Sequence, residues 1–267
     1  MPNSTLASLS FLMLFPFFFF YHTALALQLV PPVLGGYFSP VSLALAPLLF
    51  LGYVSGIHRD KALFTGIDQA FLAFLVYFLL LVSINSIFLN ADGEVVSSHF
   101  ISILHFAVIF IIFKLTDFRS KRFWWSALAC WIVMTVIIFN LSSDGFFYLR
   151  EQEDSVNQDY VATYQGFGRS YFVTVLILIP FVKAVPLRIV IYTLSVAALF
   201  VNGSRSEFVA TLLGIALIEI LNARHRLLIL CVSMLLVAFV AGYSSELMQL
   251  LPDNRTLQLL DLSEASS

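Results

Sequence analysis

Charge is what this chain has least of: Asp, Glu, Lys and Arg make up 11% of its 267 residues, against 60% hydrophobic residues. A soluble domain carries about 25% charged residues, and one this poor in charge could not cover its own surface. The few charges nearly cancel, leaving a net −2, so there is no basic surface for a nucleic-acid partner. There are only two cysteines, Cys130 and Cys231, and both fall inside apolar runs. They read as small apolar core residues rather than a metal motif or a disulfide. No Lys or Arg precedes the first apolar run, MPNSTLASLSFLMLFPFFFFYH, and that run is long. A cleaved leader has a positive start and a short apolar core, so the segment reads as a retained first membrane helix. No HExxH, Gly-rich phosphate loop or Ser/His/Asp arrangement is present either.

What the chain does have is apolar length. Mean hydropathy is +0.94, and apolar residues come in runs of about twenty, the length a bilayer demands, rather than in short periodic stripes. Phe is in excess, at 28 residues, and suits helix faces turned to lipid. Breaking the runs at polar and Pro/Gly clusters gives roughly nine spans, near 9–30, 40–57, 64–89, 98–114, 123–141, 168–183, 186–201, 206–222 and 226–243. The expected fold is therefore all-α: one polytopic transmembrane helical bundle occupying residues 1–267, with the lipid bilayer as its partner.

The basic residues sort the connections into two sets. Alternate breaks hold Arg59 and Lys61; Lys114, Arg119, Lys121 and Arg122; Lys183 and Arg188; Arg224 and Arg226, which is ten of the 14. The remaining connections hold only Arg150, Arg169, Arg205 and Arg255. The positive-inside bias places the N-terminus in the cytoplasm and those four arginines outside. Trp124 and Trp125, beside the most basic break, suit the interfacial aromatic belt. Nine spans would leave the C-terminus outside in a polar segment, DNRTLQLLDLSEASS. The chain is accordingly expected to be truncated before a large outer loop and further spans.

Two of the outer arginines stand at helix starts. Tyr164-Gln165-Gly166-Phe167-Gly168-Arg169-Ser170 opens the sixth span, and Asn202-Gly203-Ser204-Arg205-Ser206-Glu207 forms the turn between the seventh and eighth. Helix N-termini present free N–H groups and positive partial charge, which favour anions. An arginine beside them adds a fork that matches phosphate. A positive group is unfavourable for the helix start itself, so a purely structural residue would not be preferred there. Two such positions facing one cavity would hold a diphosphate. The plainer reading of Gly203 and Ser204 is that they end one helix and cap the next, and Glu207 reads as a capping carboxylate or a partner for an arginine. Glu151, Glu153, Asp154 and Asp159 match no metal loop and read as a solvated face. His58 and His225 fall in breaks on the expected cytoplasmic side. His22, His99 and His105 lie near or within spans with no second ligand at metal spacing, as packing or interface residues.

Leu199-Phe200-Val201-Asn202-Gly203-Ser204-Arg205-Ser206, followed by an apolar helix, resembles a turn of the O-antigen ligase and O-antigen polymerase family. The stretch with Tyr164, Gln165 and Arg169, one helical hairpin upstream, is similar to a second feature of that family. The resemblance covers the chain by its many-span layout but rests on these two short motifs. It implies transfer or polymerisation of an undecaprenyl-diphosphate-linked oligosaccharide at the periplasmic face of the bacterial inner membrane. The acceptor would be a lipid A-core sugar for a ligase or another glycan for a polymerase. Carried over, Arg205 and Arg169 would take the catalytic part by holding the leaving diphosphate. Ser204, Tyr164, Gln165 and Arg255 would bind substrate, with no metal and no cofactor. The family's outer loop, with a further arginine and an acceptor-side histidine in ligases, would follow the helices of this chain, so no general base is nominated. The alternative is a transporter or flippase of the same pathway. Transporters bury charges or Gly/Pro-broken helices near the bilayer midplane, often in repeats. Pro16 and Pro47 are present, but no central charge and no repeat is seen.

Overall fold

A computed structural model describes residues 2–32, 37–60, 63–88, 93–142, 147, 149 and 161–222. Every regular element among them is helical. The described chain falls into two compact units, one built from residues 1–14 and 36–118 and the other from residues 15–35 and 119–267.

The first unit contains α1 (Pro2–Leu14), α3 (Phe38–Arg59), α4 (Gly66–Phe88) and α5 (Gly93–Leu115). Helices α1, α3 and α5 pack together through Ala7, Phe11, Leu49, Val108, Ile111 and Ile112, all buried. Helix α4 rests chiefly on α5 and is otherwise exposed along its length. A ladder of rings holds the pair: Phe71 stacks on Phe110 with centroids 4.0 Å apart, and Phe74 and Phe78 both meet Phe106 edge-on at 5.8 Å. Such offset and edge-on pairs contribute about 0.5–1.5 kcal/mol each beyond area burial. At one end of α4 the Asp68 carboxylate is almost wholly buried and gathers four donors. They are the Tyr53 hydroxyl at 2.6 Å, the Thr65 N–H and hydroxyl at 2.6 Å each, and the Lys114 ammonium at 2.8 Å. Thr65 and Asp68 stand in the spacing of a capping box, in which the carboxylate three residues on satisfies the cap's own N–H. The same carboxylate thereby ties α3, α4 and α5 together.

The second unit contains α2 (Pro16–Ala26), α6 (Lys121–Leu141), α7 (Tyr164–Leu178), α8 (Val185–Asn202) and α9 (Arg205–Asn222). Its core is built from Ala127, Trp131, Met134 and Ile138 of α6, Phe167, Tyr171, Val175 and Leu178 of α7, and Ile191, Ala198 and Leu199 of α8. Polar side chains cross this apolar interior in pairs. Trp131 Nε1 donates to Ser195 Oγ at 3.1 Å, and Thr135 Oγ1 lies 2.7 Å from the Tyr171 hydroxyl. Arg188 donates to Glu219 at 2.9 Å, and the Tyr192 hydroxyl bonds the same carboxylate oxygen, joining α8 to α9 at the end away from their connecting turn.

Among the described residues, six stretches are long and apolar enough to cross a membrane: Ser4–Ala26, Phe38–Arg59, Gly66–Ile87, Val95–Leu115, Lys121–Leu141 and Val185–Asn202. They correspond to the first five and the seventh of the expected spans, and they fit a multi-pass helical membrane protein. The sixth expected span, 168–183, starts earlier and ends sooner. Helix α7 is 15 residues long and tightens into a 3-10 turn, Ile179–Phe181, where Pro180 breaks the α-helical pattern. The eighth forms as α9 but carries Arg205, Glu207 and Glu219, which lower its apolar content. The ninth, 226–243, lies outside the described residues, as do Arg150, the acidic stretch 151–159, Arg224, His225, Cys231 and Arg255.

The first span also differs from the expected 9–30. Its helical residues begin at Pro2, and Pro16, which has no N–H to donate, divides them into α1 and α2 at Phe15. They end at Ala26 because the chain turns there. Gln28 takes φ 57°, its N–H bonds the Leu25 carbonyl at 3.1 Å, and the Leu29 N–H bonds the Ala24 carbonyl at 2.9 Å. This pair of bonds is the Schellman arrangement, which satisfies the last carbonyls of a helix. Leu29 and Val30 therefore lie past the helix.

Candidate functional site

The second unit brings the two arginine-bearing stretches together. Helix α8 ends at Asn202, and Gly203 adopts φ 68°, ψ 11°, the left-handed conformation that Gly takes at little cost. The chain reverses within Gly203 and Ser204, and α9 starts at Arg205 with the Phe208 N–H bonded to the Ser204 carbonyl at 2.9 Å. Asn202 Nδ2 donates to Ser204 Oγ at 2.7 Å across the turn, and both residues are wholly buried. What covers them is the backbone of Gly168 on α7. A Cβ at that position would stand 2.0 Å from Ser204 Oγ, 2.7 Å from Ser204 Cβ and 2.8 Å from Asn202 Nδ2. Only a residue without a side chain lets α7 and the α8–α9 turn approach this closely.

The start of α7 is fixed by a floor of rings beneath it. Phe167, 1% exposed, meets Phe19 edge-on at 5.1 Å and Phe147 edge-on at 5.4 Å, and Phe19 stacks parallel to Phe147 at 6.1 Å. The Phe147 N–H bonds the Val201 carbonyl at 2.9 Å, which links this floor to the end of α8. The buried His22 of α2 accepts the Ala162 N–H on Nδ1 at 3.0 Å, holding the approach to α7. Accepting there leaves Nδ1 without a proton, so the neutral ring carries its proton on Nε2.

Arg169 and Arg205 each follow directly on one member of the Gly168–Ser204 contact. Arg169 is 68% exposed and Arg205 half-buried. Between the two stretches sits Glu207, in the first turn of α9, with its side chain only 9% exposed. Its Oε2 accepts from Ser206 Oγ at 2.7 Å, and its Oε1 lies 3.9 Å from Arg169 Nε. The other half of the pairing expected for Glu207, an arginine partner, is thus Arg169 from the neighbouring helix. A carboxylate in the first turn of a helix also meets the positive end of its dipole.

The remaining expected site residues fall as follows. Ser204 is inside the turn, with its hydroxyl engaged by Asn202. Tyr164 opens α7, Gln165 is exposed beside it, and Arg255 lies outside the described residues. Among the described residues, no group of three His, Cys, Asp or Glu side chains is placed to hold a metal ion. The chain matches no family model, no curated protein and no solved structure.

Two features of the site were not expected from sequence. Gly168 had no visible role, because the contact that needs it lies 36 positions away along the chain. His22 fits a packing or interface residue by sequence, which carries no mark of its bond to the backbone at 162. By contrast the Asp68 node in the first unit had a local signal, the Thr65-x-x-Asp68 capping spacing, that a search for helix starts could have caught.

Proposed function

We propose that this protein transfers or polymerises glycan carried on undecaprenyl diphosphate, at the periplasmic face of the bacterial inner membrane. The observation that carries the reading is the contact between Gly168 and Ser204, which sets the second turn of α7 against the start of α9. Arg205 opens α9 as expected, whereas Arg169 is the sixth residue of α7, one turn past the helix start expected for it. The start of α9 contributes backbone N–H groups and the positive end of its dipole, and the two arginines add forked donors that match phosphate. Such a place suits a diphosphate.

In the proposed reaction an acceptor hydroxyl attacks the anomeric carbon of the carried sugar. The bond from that carbon to the diphosphate oxygen breaks, the electron pair leaves with the lipid diphosphate, and the hydroxyl proton passes to solvent water. Negative charge grows on the departing oxygen, and donors fixed beforehand around it lower the barrier most. Arg205, braced by a buried turn, is assigned the larger share of that stabilisation. Arg169, on a mostly exposed side chain, is assigned the smaller.

The test is diphosphate binding. Full-length protein in lipid nanodiscs is titrated with farnesyl diphosphate, a short isoprenyl diphosphate, with farnesol as the uncharged control. Arg205→Ala removes charge-assisted hydrogen bonds of about 1.5–3 kcal/mol, so affinity is expected to fall roughly ten- to a hundredfold. Arg205→Lys keeps the charge without the fork and should fall between. Equal binding by wild type and Arg205→Ala, or equal binding of farnesol, refutes the assignment.

A further inference from the structure

We infer that Glu207 is an internal counter-ion that fills the phosphate position of this site and must be displaced before a diphosphate enters. This inference rests on the reading proposed above. Burying a carboxylate is costly unless it is well paired, yet the pairing of Glu207 is loose. One oxygen takes a hydroxyl from the adjacent Ser206, and the other stands 3.9 Å from an arginine that is itself 68% exposed. A long ion pair whose arginine faces solvent contributes little stability and is easily exchanged. What holds the carboxylate in place is its location, in the first turn of α9 where an anion is favoured by the helix itself. Glu207 therefore occupies the place that would suit a ligand's phosphate, against the same Arg169 that the ligand would use.

The consequence is a threshold. Displacing an internal anion costs every phosphate the same, so affinities fall together and their ratio does not change. Small phosphates in solution then leave the site empty, whereas a lipid-linked diphosphate, its tail already held in the bilayer, still fills it. Glu207 is thus a positioning residue, one that acts through Arg169 rather than on the reacting bond.

Glu207→Gln keeps the shape and removes the charge. In nanodiscs it should bind both farnesyl diphosphate and inorganic pyrophosphate about three- to tenfold more tightly than wild type, the scale of one unit charge about 6 Å away at intermediate dielectric. Farnesol binding should stay as it was. In an Arg169→Ala background the gain should disappear, because the competition is for that arginine. Ser206→Ala, at an exposed position, removes the hydroxyl that steadies the carboxylate and should tighten pyrophosphate binding in the same direction by about twofold. This second variant decides the matter if Glu207→Gln does not fold. Unchanged or weaker binding by both variants, while wild type binds and Arg205→Ala does not, overturns the counter-ion role alone. Absence of diphosphate binding in wild type and both variants overturns this role together with the function it rests on. A variant whose only change is a lower melting temperature assigns Glu207 to the structure of α9 and likewise overturns the inference.

Discussion

Gly168→Ala is the sharpest probe of how the site is built. The added methyl would meet Ser204 Oγ at 2.0 Å, Ser204 Cβ at 2.7 Å and Asn202 Nδ2 at 2.8 Å, and carbon contacts relax only near 3.5–4.0 Å. Ser204 Cβ is fixed to the turn's backbone, so a change of rotamer cannot clear it. Either α7 and the turn separate by about 1 Å, or the Asn202–Ser204 bond breaks. Overpacking of this kind costs about 1–3 kcal/mol, and a lost buried hydrogen bond adds about 1 kcal/mol. Alanine's better helix propensity returns up to about 1 kcal/mol. The net expectation is a loss of about 1–3 kcal/mol, read as a lower melting temperature of the purified protein in a fixed detergent. Ser204→Gly removes two of the three obstacles, so the double variant should recover more than half of the loss, a coupling that independent sites do not show. Gly66→Ala is the control, since a Cβ there meets nothing within 4 Å. If Gly168→Ala melts with wild type, or if Ser204→Gly brings no relief, the proposed meeting of α7 with the α8–α9 turn is wrong.

Two further predictions concern the polar ties within each unit. Asp68→Ala leaves Lys114, Tyr53 and the Thr65 N–H without their shared acceptor, and should cost about 3–5 kcal/mol by thermal unfolding. Lys114→Met made in the same background should recover part of it by removing the stranded charge. Tyr171→Phe deletes one hydroxyl while Thr135 keeps its 2.7 Å bond to the Trp131 carbonyl. That change should cost about 0.6 kcal/mol, the mean for polar pairs between membrane helices, whereas Tyr171→Ala empties a fully buried volume and should cost about 3–5 kcal/mol.

Much of the helical layout was legible because its signal is local. Apolar runs long enough for a bilayer located the first five expected spans and the seventh, with edges a few residues out. The misplaced edges have plain causes. Asn3, Ser4 and Thr5 lower hydropathy without breaking a helix, so α1 starts before the apolar run does. The end of α2 is set by Gln28 in a left-handed conformation, where a glycine would have been the visible marker. Gly203, at the end of α8, is such a marker, and there the expected turn formed. The two arginine stretches were found from helix starts and residue type alone. What sequence could not give was their meeting. That depends on Gly168 admitting Ser204 and Asn202, a contact between distant positions with no periodicity to announce it. Glu207 was legible as a cap or a partner, but choosing between those roles required knowing that Arg169 stands across from it.

Glycan transfer itself is tested most directly by the surface glycolipid of a strain deleted for this gene. The strain is complemented with the intact gene or with Arg205→Ala, and lipopolysaccharide banding is compared on gels at matched expression. The account predicts a changed ladder in the deletion strain, with bare core for a ligase or core bearing a single repeat for a polymerase. It also predicts restoration by the intact gene and failure by Arg205→Ala. An unchanged ladder in a deletion strain with no redundant gene would contradict glycan transfer and favour transport.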